Sequence, residues 1–489
     1  MTKVLKKLQI PREYVFVGII AVLGFLLRVA YLNKFLFFGF EQGRDFFALQ
    51  AMSNGDIRLM GPFSDVPGVM HGAAYFYLLL PLFLIFNGNP YLMTLPLIFV
   101  NCLSVLFLYL ALKDYFNKRV ALVACLLYLF SYSAIVYSRW LSNPVLIPAA
   151  LNLLLFFLVR ARKDWRFLLG VTAVWGVIFH FLAPVAISLI IPIVVFVIFE
   201  KIKLYPKRLV ALAAVLVAMM STYILFDLTH NFVFSRGLLG KIATTSGIRA
   251  DRLSFVNEFT NEVVDNLFPS QRGGALVLFA GIVGAAFASG LKNKRALIIL
   301  GFLFFGGLTY SLIGFGILRH FYITFPIFLA ILAGVTVDWL GKRNLKLAAG
   351  VLILVLLMAN LWQYRRNVLN NLPTFIYHAQ RTYLQDMKDL IDFMYADAAG
   401  GEISYNYYTV PYWQFEGWLY LFETYALPKY GYLPQEKRAD GMYTLMEPNE
   451  TIPVHRDNWY GEFKKGLDLV WSRQFGHLTL EKWEYAGNF

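Results

Sequence analysis

Charge is scarce in this chain. Of 489 residues only 15% are Asp, Glu, Lys or Arg, and the 30 acids are outnumbered by 44 bases. So few charges cannot cover the surface of a soluble fold of this size, which excludes an ordinary water-soluble protein. Cysteine is nearly absent: Cys102 and Cys125 both fall inside apolar runs, so a disulfide framework is not expected. There is no Walker loop, no dinucleotide glycine fingerprint and no Cys/His spacing suited to a metal. A nucleotide sugar held in a soluble Rossmann domain is therefore not expected. Internal repeats and low-complexity tracts are also missing. No small-residue cleavage site follows the first apolar run, so Lys3, Lys6, Lys7 and Arg12 read as the flank of a retained helix rather than of a signal peptide.

What the chain has is apolar length: 58% of its residues are hydrophobic and its mean hydropathy is +0.58. Runs long enough to cross a bilayer are predicted at 14–33, 92–112, 120–137, 144–160, 166–182, 185–199, 209–226, 273–290, 296–315, 320–340 and 345–362. Residues 72–88 are apolar but short and interrupted by Pro81, which suits an interfacial or re-entrant segment. The net charge of +14 lies in short gaps between runs, a positive-inside pattern rather than a nucleic-acid-binding face, and no nucleic acid is expected as partner. If 72–88 does not cross, six segments on one side carry 21 Lys and Arg between them, while the short loops opposite hold Arg139 and Arg319. The expectation is an all-α polytopic protein of about eleven spans plus interfacial helices, with a cytoplasmic N-terminus.

Residues 1–362 form the predicted membrane domain, with outer loops at 34–91 and 227–272. Residues 363–489 read as a soluble domain on the outer side, holding 16 of the 30 acids. Helical spacing at 380–396 and strand-like runs at 402–410, 442–447, 467–473 and 477–485 predict a small α/β unit.

The densest polar knot follows the first span: Phe40-Glu41-Gln42-Gly43-Arg44-Asp45, then Gly61-Pro62 and His71-Gly72-Ala73-Ala74-Tyr75. A carboxylate at a membrane–water boundary can act as a general base, and a nearby arginine suits a phosphate. That pairing fits transfer from a phosphate-linked lipid; a solvated loop with local ion pairs is the alternative.

The ordered features resemble the family 39 type of GT-C glycosyltransferases, which includes protein O-mannosyltransferases and lipid A aminoarabinose transferases. The shared order is an acidic pair after the first span, a Gly-Pro stretch, an interfacial helix, and a span ending in a basic turn, here Lys113 to Arg119. The resemblance covers roughly residues 10–365. It implies a catalytic carboxylate at Glu41, where the family has aspartate, with Asp45 as the second candidate. It also implies donor-phosphate contacts at Arg44, Arg319, His320 and Arg139, and substrate-lining roles for His71, Tyr75, Asn143, Asp227 and His230. Helix capping is the alternative for Asp227, and a boundary position facing headgroups the alternative for Arg139; His180 reads as an interfacial histidine. Arg28 reads as a residue that snorkels outward, with no role assigned.

Asn143 stands where the family commonly has Asp. An amide is a poorer ligand for a hard divalent cation, so a metal is disfavoured and no other cofactor is implied. The implied activity is transfer of a hexose or pentose from a polyprenyl-phosphate donor to an acceptor hydroxyl, with inversion, at the outer face of the cell membrane. A lipid-linked glycan polymerase or ligase is the alternative, and a membrane transporter a more distant one. The implied partners are the lipid-linked donor, the bilayer, and an acceptor that is protein, lipid or glycan.

Overall fold

The computed structural model describes residues 11–64, 68–245, 252–267, 271–292, 294–313, 319–369, 382–449 and 452–487. The helices that matter below are α1 (Arg12–Val29), α2 (Phe40–Ser53), α3 (Ala74–Ile85), α4 (Lys118–Leu129), α5 (Tyr132–Arg139), α6 (Phe167–Phe181), α7 (Pro206–Met219), α8 (Ser221–Thr229), α9 (Val233–Thr245), α10 (Leu384–Asp397) and α11 (Glu416–Leu421). Among the described residues, five helices are long and apolar enough to cross a bilayer: Pro90–Tyr115, Asn143–Arg160, Arg272–Leu291, Phe325–Lys342 and Lys346–Asn367. The pairs α4–α5 and α7–α8 pass the same test jointly but bend by 58° and 59°, which raises the number to seven. Shorter apolar helices lie at α3, α6, Ala183–Phe199 and Arg295–Phe305. This is a multi-pass membrane protein. Among the described residues, each of the eleven predicted spans overlaps a helix or a bent pair, and α3, at 12 residues, is too short to cross.

The bend between α4 and α5 has a local cause. Ser131 caps α5, accepting from the Ala134 N–H at 3.4 Å, and the Tyr132 N–H is taken by Asn360 Oδ1 at 2.8 Å. Arg28 of α1 is buried against the break rather than snorkelling outward. Its Nη1 donates to the carbonyls of Gly24 (3.0 Å) and Leu129 (2.7 Å), and its Nε to Ser138 Oγ at 3.0 Å. The last carbonyls of α4, left without helical partners, draw the guanidinium inward.

The C-terminal region carries a five-stranded mixed sheet. Its strands are β3 (Ser404–Tyr408), β4 (Gln435–Glu436), β5 (Met442–Met446), β6 (Leu467–Phe475) and β7 (Leu478–Tyr485), in the order β4-β3-β5-β7-β6. Strand β3 runs parallel to β4 and β5, and β7 pairs antiparallel with both β5 and β6. Helix α10 packs on β6 and β7, with Phe393 against Trp471 and Phe475, and it buries Leu384, Met387, Leu390, Ile391 and Met394, the face that its spacing predicted. A two-stranded hairpin not foreseen from the sequence, β1 (Met60–Phe63) and β2 (Met70–Gly72), lies between α2 and α3.

Candidate active site

The charged knot is the first turn of a helix, not an open loop. Gly39 precedes α2, and its N–H donates to Gln42 Oε1 at 3.0 Å, satisfying one of the free donors of the helix start. Gln42 is buried, and its Nε2 donates to the Leu141 carbonyl at 2.9 Å, tying α2 to the segment that carries Ser142 and Asn143. The first two turns of α2 bring Glu41, Arg44 and Asp45 close together in space, yet they face different surroundings.

Glu41 and Arg44 line a cavity of about 290 Å³. Its other polar walls come from His71 on β2, Ser142 and Asn143 at the start of the Asn143–Arg160 span, Lys241 on α9, and His320. Phe179, Leu182, Ile187 and Leu238 supply much of the apolar wall. Ser142 Oγ lies 3.4 Å from Glu41 Oε2 and 3.1 Å from Asn143 Oδ1, so one hydroxyl links the carboxylate to the amide. The Asn143 amide in turn donates to the Phe181 carbonyl. Trp140 meets the His320 ring edge-on at 5.4 Å and fixes its orientation.

Asp45 does not line the cavity. It is 1% exposed, and its Oδ1 accepts from Arg44 Nε at 3.0 Å and Nη2 at 2.9 Å, while Oδ2 is buried without a hydrogen bond. Burial pushes its pKa up to about 6, with Arg44 and Tyr75 opposing the rise. Tyr75 is buried next to it, behind the cavity wall. His71 is pushed down to about 3 by burial first, then by His320 and Arg44, and burial pushes His320 down to about 4. Both rings are neutral at physiological pH and offer hydrogen bonds rather than charge.

Other predicted residues lie elsewhere. Arg139 is buried beside Tyr132, Tyr364 and Tyr383 with one guanidinium nitrogen unpaired, and it is not part of the cavity lining. Asp227 is a cap: it accepts from the N–H groups of Phe234 (2.9 Å) and Ser235 (3.1 Å), and from the Ser235 hydroxyl, at the start of α9. His230 is exposed and stacked on Phe226 at 4.1 Å. His180 packs against Gly72, where a Cβ would come within 1.8 Å of its Nδ1, and its Nε2 lies 2.7 Å from the Met219 carbonyl. Arg319 starts a 3-10 turn, and its side chain lies outside the described residues. Among the described residues, no three of His, Cys, Asp and Glu converge as a metal site. Lys241, Gln42, Ser142 and Trp140 were not foreseen as part of the site.

Comparison with known proteins bears on the fold. Residues 70–226 match the family model for dolichyl-phosphate-mannose-protein mannosyltransferase. No curated protein sequence matches the chain. Among solved structures, ArnT from Cupriavidus metallidurans bound to undecaprenyl phosphate is 12% identical, with a TM-score of 0.59 covering 95% of this chain and 97% of that one. The chain has the GT-C fold. The apo form of the same ArnT aligns at a TM-score of 0.59, with 11% identity over 96% and 98% of the two chains. The oligosaccharyltransferase AglB from Archaeoglobus fulgidus, in complex with an inhibitory peptide and a dolichol-phosphate, aligns at 0.50, with 12% identity over 98% of this chain and 75% of its own.

Proposed function

We propose that this protein is a membrane glycosyltransferase that moves a sugar from a polyprenyl-phosphate donor to an acceptor hydroxyl at the outer membrane face. The observation that carries this reading is the cavity itself. A carboxylate and a guanidinium one helical turn apart, Glu41 and Arg44, share it with Lys241, two neutral histidines and an apolar wall. Undecaprenyl phosphate on ArnT and dolichol-phosphate on AglB, which share the fold, support the donor class.

In this reading Glu41 takes the proton of the acceptor hydroxyl as its oxygen attacks the anomeric carbon. The bond from that carbon to the phosphate oxygen breaks, its electrons stay on the departing polyprenyl phosphate, and the anomeric centre inverts. Arg44 and Lys241 offset the charge growing on the phosphate. Asp45 holds Arg44 in place rather than acting as base. His71 and His320 hydrogen-bond sugar or acceptor hydroxyls. No step is routed through a metal, and EDTA is expected to leave the rate unchanged.

The test is sugar transfer from a panel of polyprenyl-phosphate and polyprenyl-diphosphate donors. Glu41→Gln is expected to lower turnover by about 10²–10⁴-fold, the usual worth of a general base. Full activity in that variant would remove Glu41 from the role, and transfer from diphosphate donors alone would favour the polymerase or ligase alternative.

A further inference from the structure

Helix α2 has a second face, which the chemistry proposed above does not use. While Glu41 and Arg44 look into the cavity, Gly39 and Gly43 press against the first turn of α11 in the C-terminal region. A Cβ on Gly43 would lie 2.3 Å from the Glu416 carbonyl group and 2.4 Å from the Gly417 nitrogen. A Cβ on Gly417 would lie 2.8 Å from the Gly39 oxygen. These are backbone-to-backbone contacts, with no flexible side chain available to give way.

Helix α11 is in turn fixed from several directions. The Tyr420 hydroxyl donates to the Gly88 carbonyl at 2.8 Å, and its ring meets Phe46 at 5.1 Å and Phe47 at 5.6 Å, both on α2. Trp418, 1% exposed, donates its indole N–H to Glu447 Oε1 at 3.0 Å. The other oxygen of Glu447 accepts from the Val410 N–H at 2.8 Å, and the Glu447 N–H donates to the Tyr408 carbonyl at 2.9 Å. Glu447 thus fastens α11 to the ends of β3 and β5. Two backbone bonds, Phe38 N–H to the Thr382 carbonyl (3.0 Å) and Leu384 N–H to the Leu36 carbonyl (2.9 Å), hold the chain entering α2 to the start of α10.

We infer that the C-terminal domain is the back wall of the candidate site: α11, fastened by Glu447 through Trp418, sets the position of α2 and so of Glu41 in the cavity. Gly417, Trp418 and Glu447 are positioning residues in this scheme, which rests on the glycosyl-transfer reading for its catalytic consequence. A general base must sit within hydrogen-bond reach of the attacking hydroxyl, and a shift of about 1 Å in a positioned group costs on the order of 10²-fold in rate. A helix seated on rigid backbone contacts cannot move on one face without moving on the other.

The experiment uses the full-length protein with Trp418→Phe, which keeps the ring and loses the N–H, and Gly417→Ala, which adds one methyl at the contact. Hydrogen exchange is measured across α2, and sugar transfer is expressed per polyprenyl-phosphate-binding site, so that unfolded protein is not counted. The expected result is exchange about tenfold faster in α2 with the membrane helices unchanged. Turnover per site is expected to fall about 10- to 100-fold while the donor KM stays within about twofold. Unchanged α2 exchange in both variants overturns the inference, as does faster exchange with undiminished turnover per site. A wild-type protein that transfers from no donor defeats the glycosyl-transfer reading instead, and the exchange data still decide whether α11 holds α2.

Discussion

At the scale of single residues, the site shows how two carboxylates four positions apart come to differ. The family resemblance leaves both Glu41 and Asp45 open as the base, and the structure puts them four residues apart on one helix. Packing separates them: Asp45 is closed in by Arg44 and Tyr75, and Glu41 is left at the cavity. The sign of the pH effect follows. Asp45 is charged above about pH 6 and takes up a proton as the pH falls through that value, at which point Arg44 loses its anionic anchor. The kcat/KM profile is expected to fall below about pH 6 in the wild type, and Asp45→Asn, already neutral, is expected to lack that inflection. His71 and His320, pushed down to about 3 and about 4, contribute no step between pH 5 and 8. Lys241 lies about 200 residues beyond Glu41, and no local pattern marks it as a neighbour. Lys241→Ala is expected to raise the donor KM roughly 10- to 100-fold, the worth of one charge-assisted hydrogen bond, as read from initial rates. Asp227 was the misleading residue. It lies near the end of α8, and the chain folds back so that its carboxylate takes the first free N–H groups of α9.

At the scale of elements, apolar length was legible and its interruptions were not. The run at 120–137 reads as one span because Phe130 and Ser131 scarcely disturb its hydropathy, yet the chain turns there by 58°. Besides the Ser131 cap at the break itself, the groups that hold the bend lie far away in sequence, at Asn360 and Arg28. The hairpin β1–β2 escaped notice because β1 has four residues and contains a proline, too little for a period-two pattern. Strands β3, β5, β6 and β7 were legible as apolar and aromatic runs framed by Gly, Pro and Asn turns. The bend supports a test of its own: Arg28→Met strands the Leu129 carbonyl and is expected to cost roughly 1–3 kcal/mol, seen as a lower Tm in detergent, with the donor KM unchanged.

At the scale of the whole molecule, the charge pattern makes a directional prediction. Cysteines introduced at Lys163 and Lys437, both exposed, are expected to react with an impermeant thiol reagent from opposite sides of intact cells, Lys437→Cys from outside. The native thiols are 2% and 0% exposed and stay silent. Labelling of both positions from one side would overturn the topology. The buried Arg28 also bears on how the protein is made. Its partners at Leu129 and Ser138 come 101 and 110 residues later in the chain. An arginine in an isolated span costs roughly 2.5–3.5 kcal/mol at mid-membrane, less near an end, and within α1 only the Gly24 carbonyl among its partners is at hand to offset it. Its final seating must wait until α5 has left the ribosome, which makes the first helix synthesised one of the last to be locked in place.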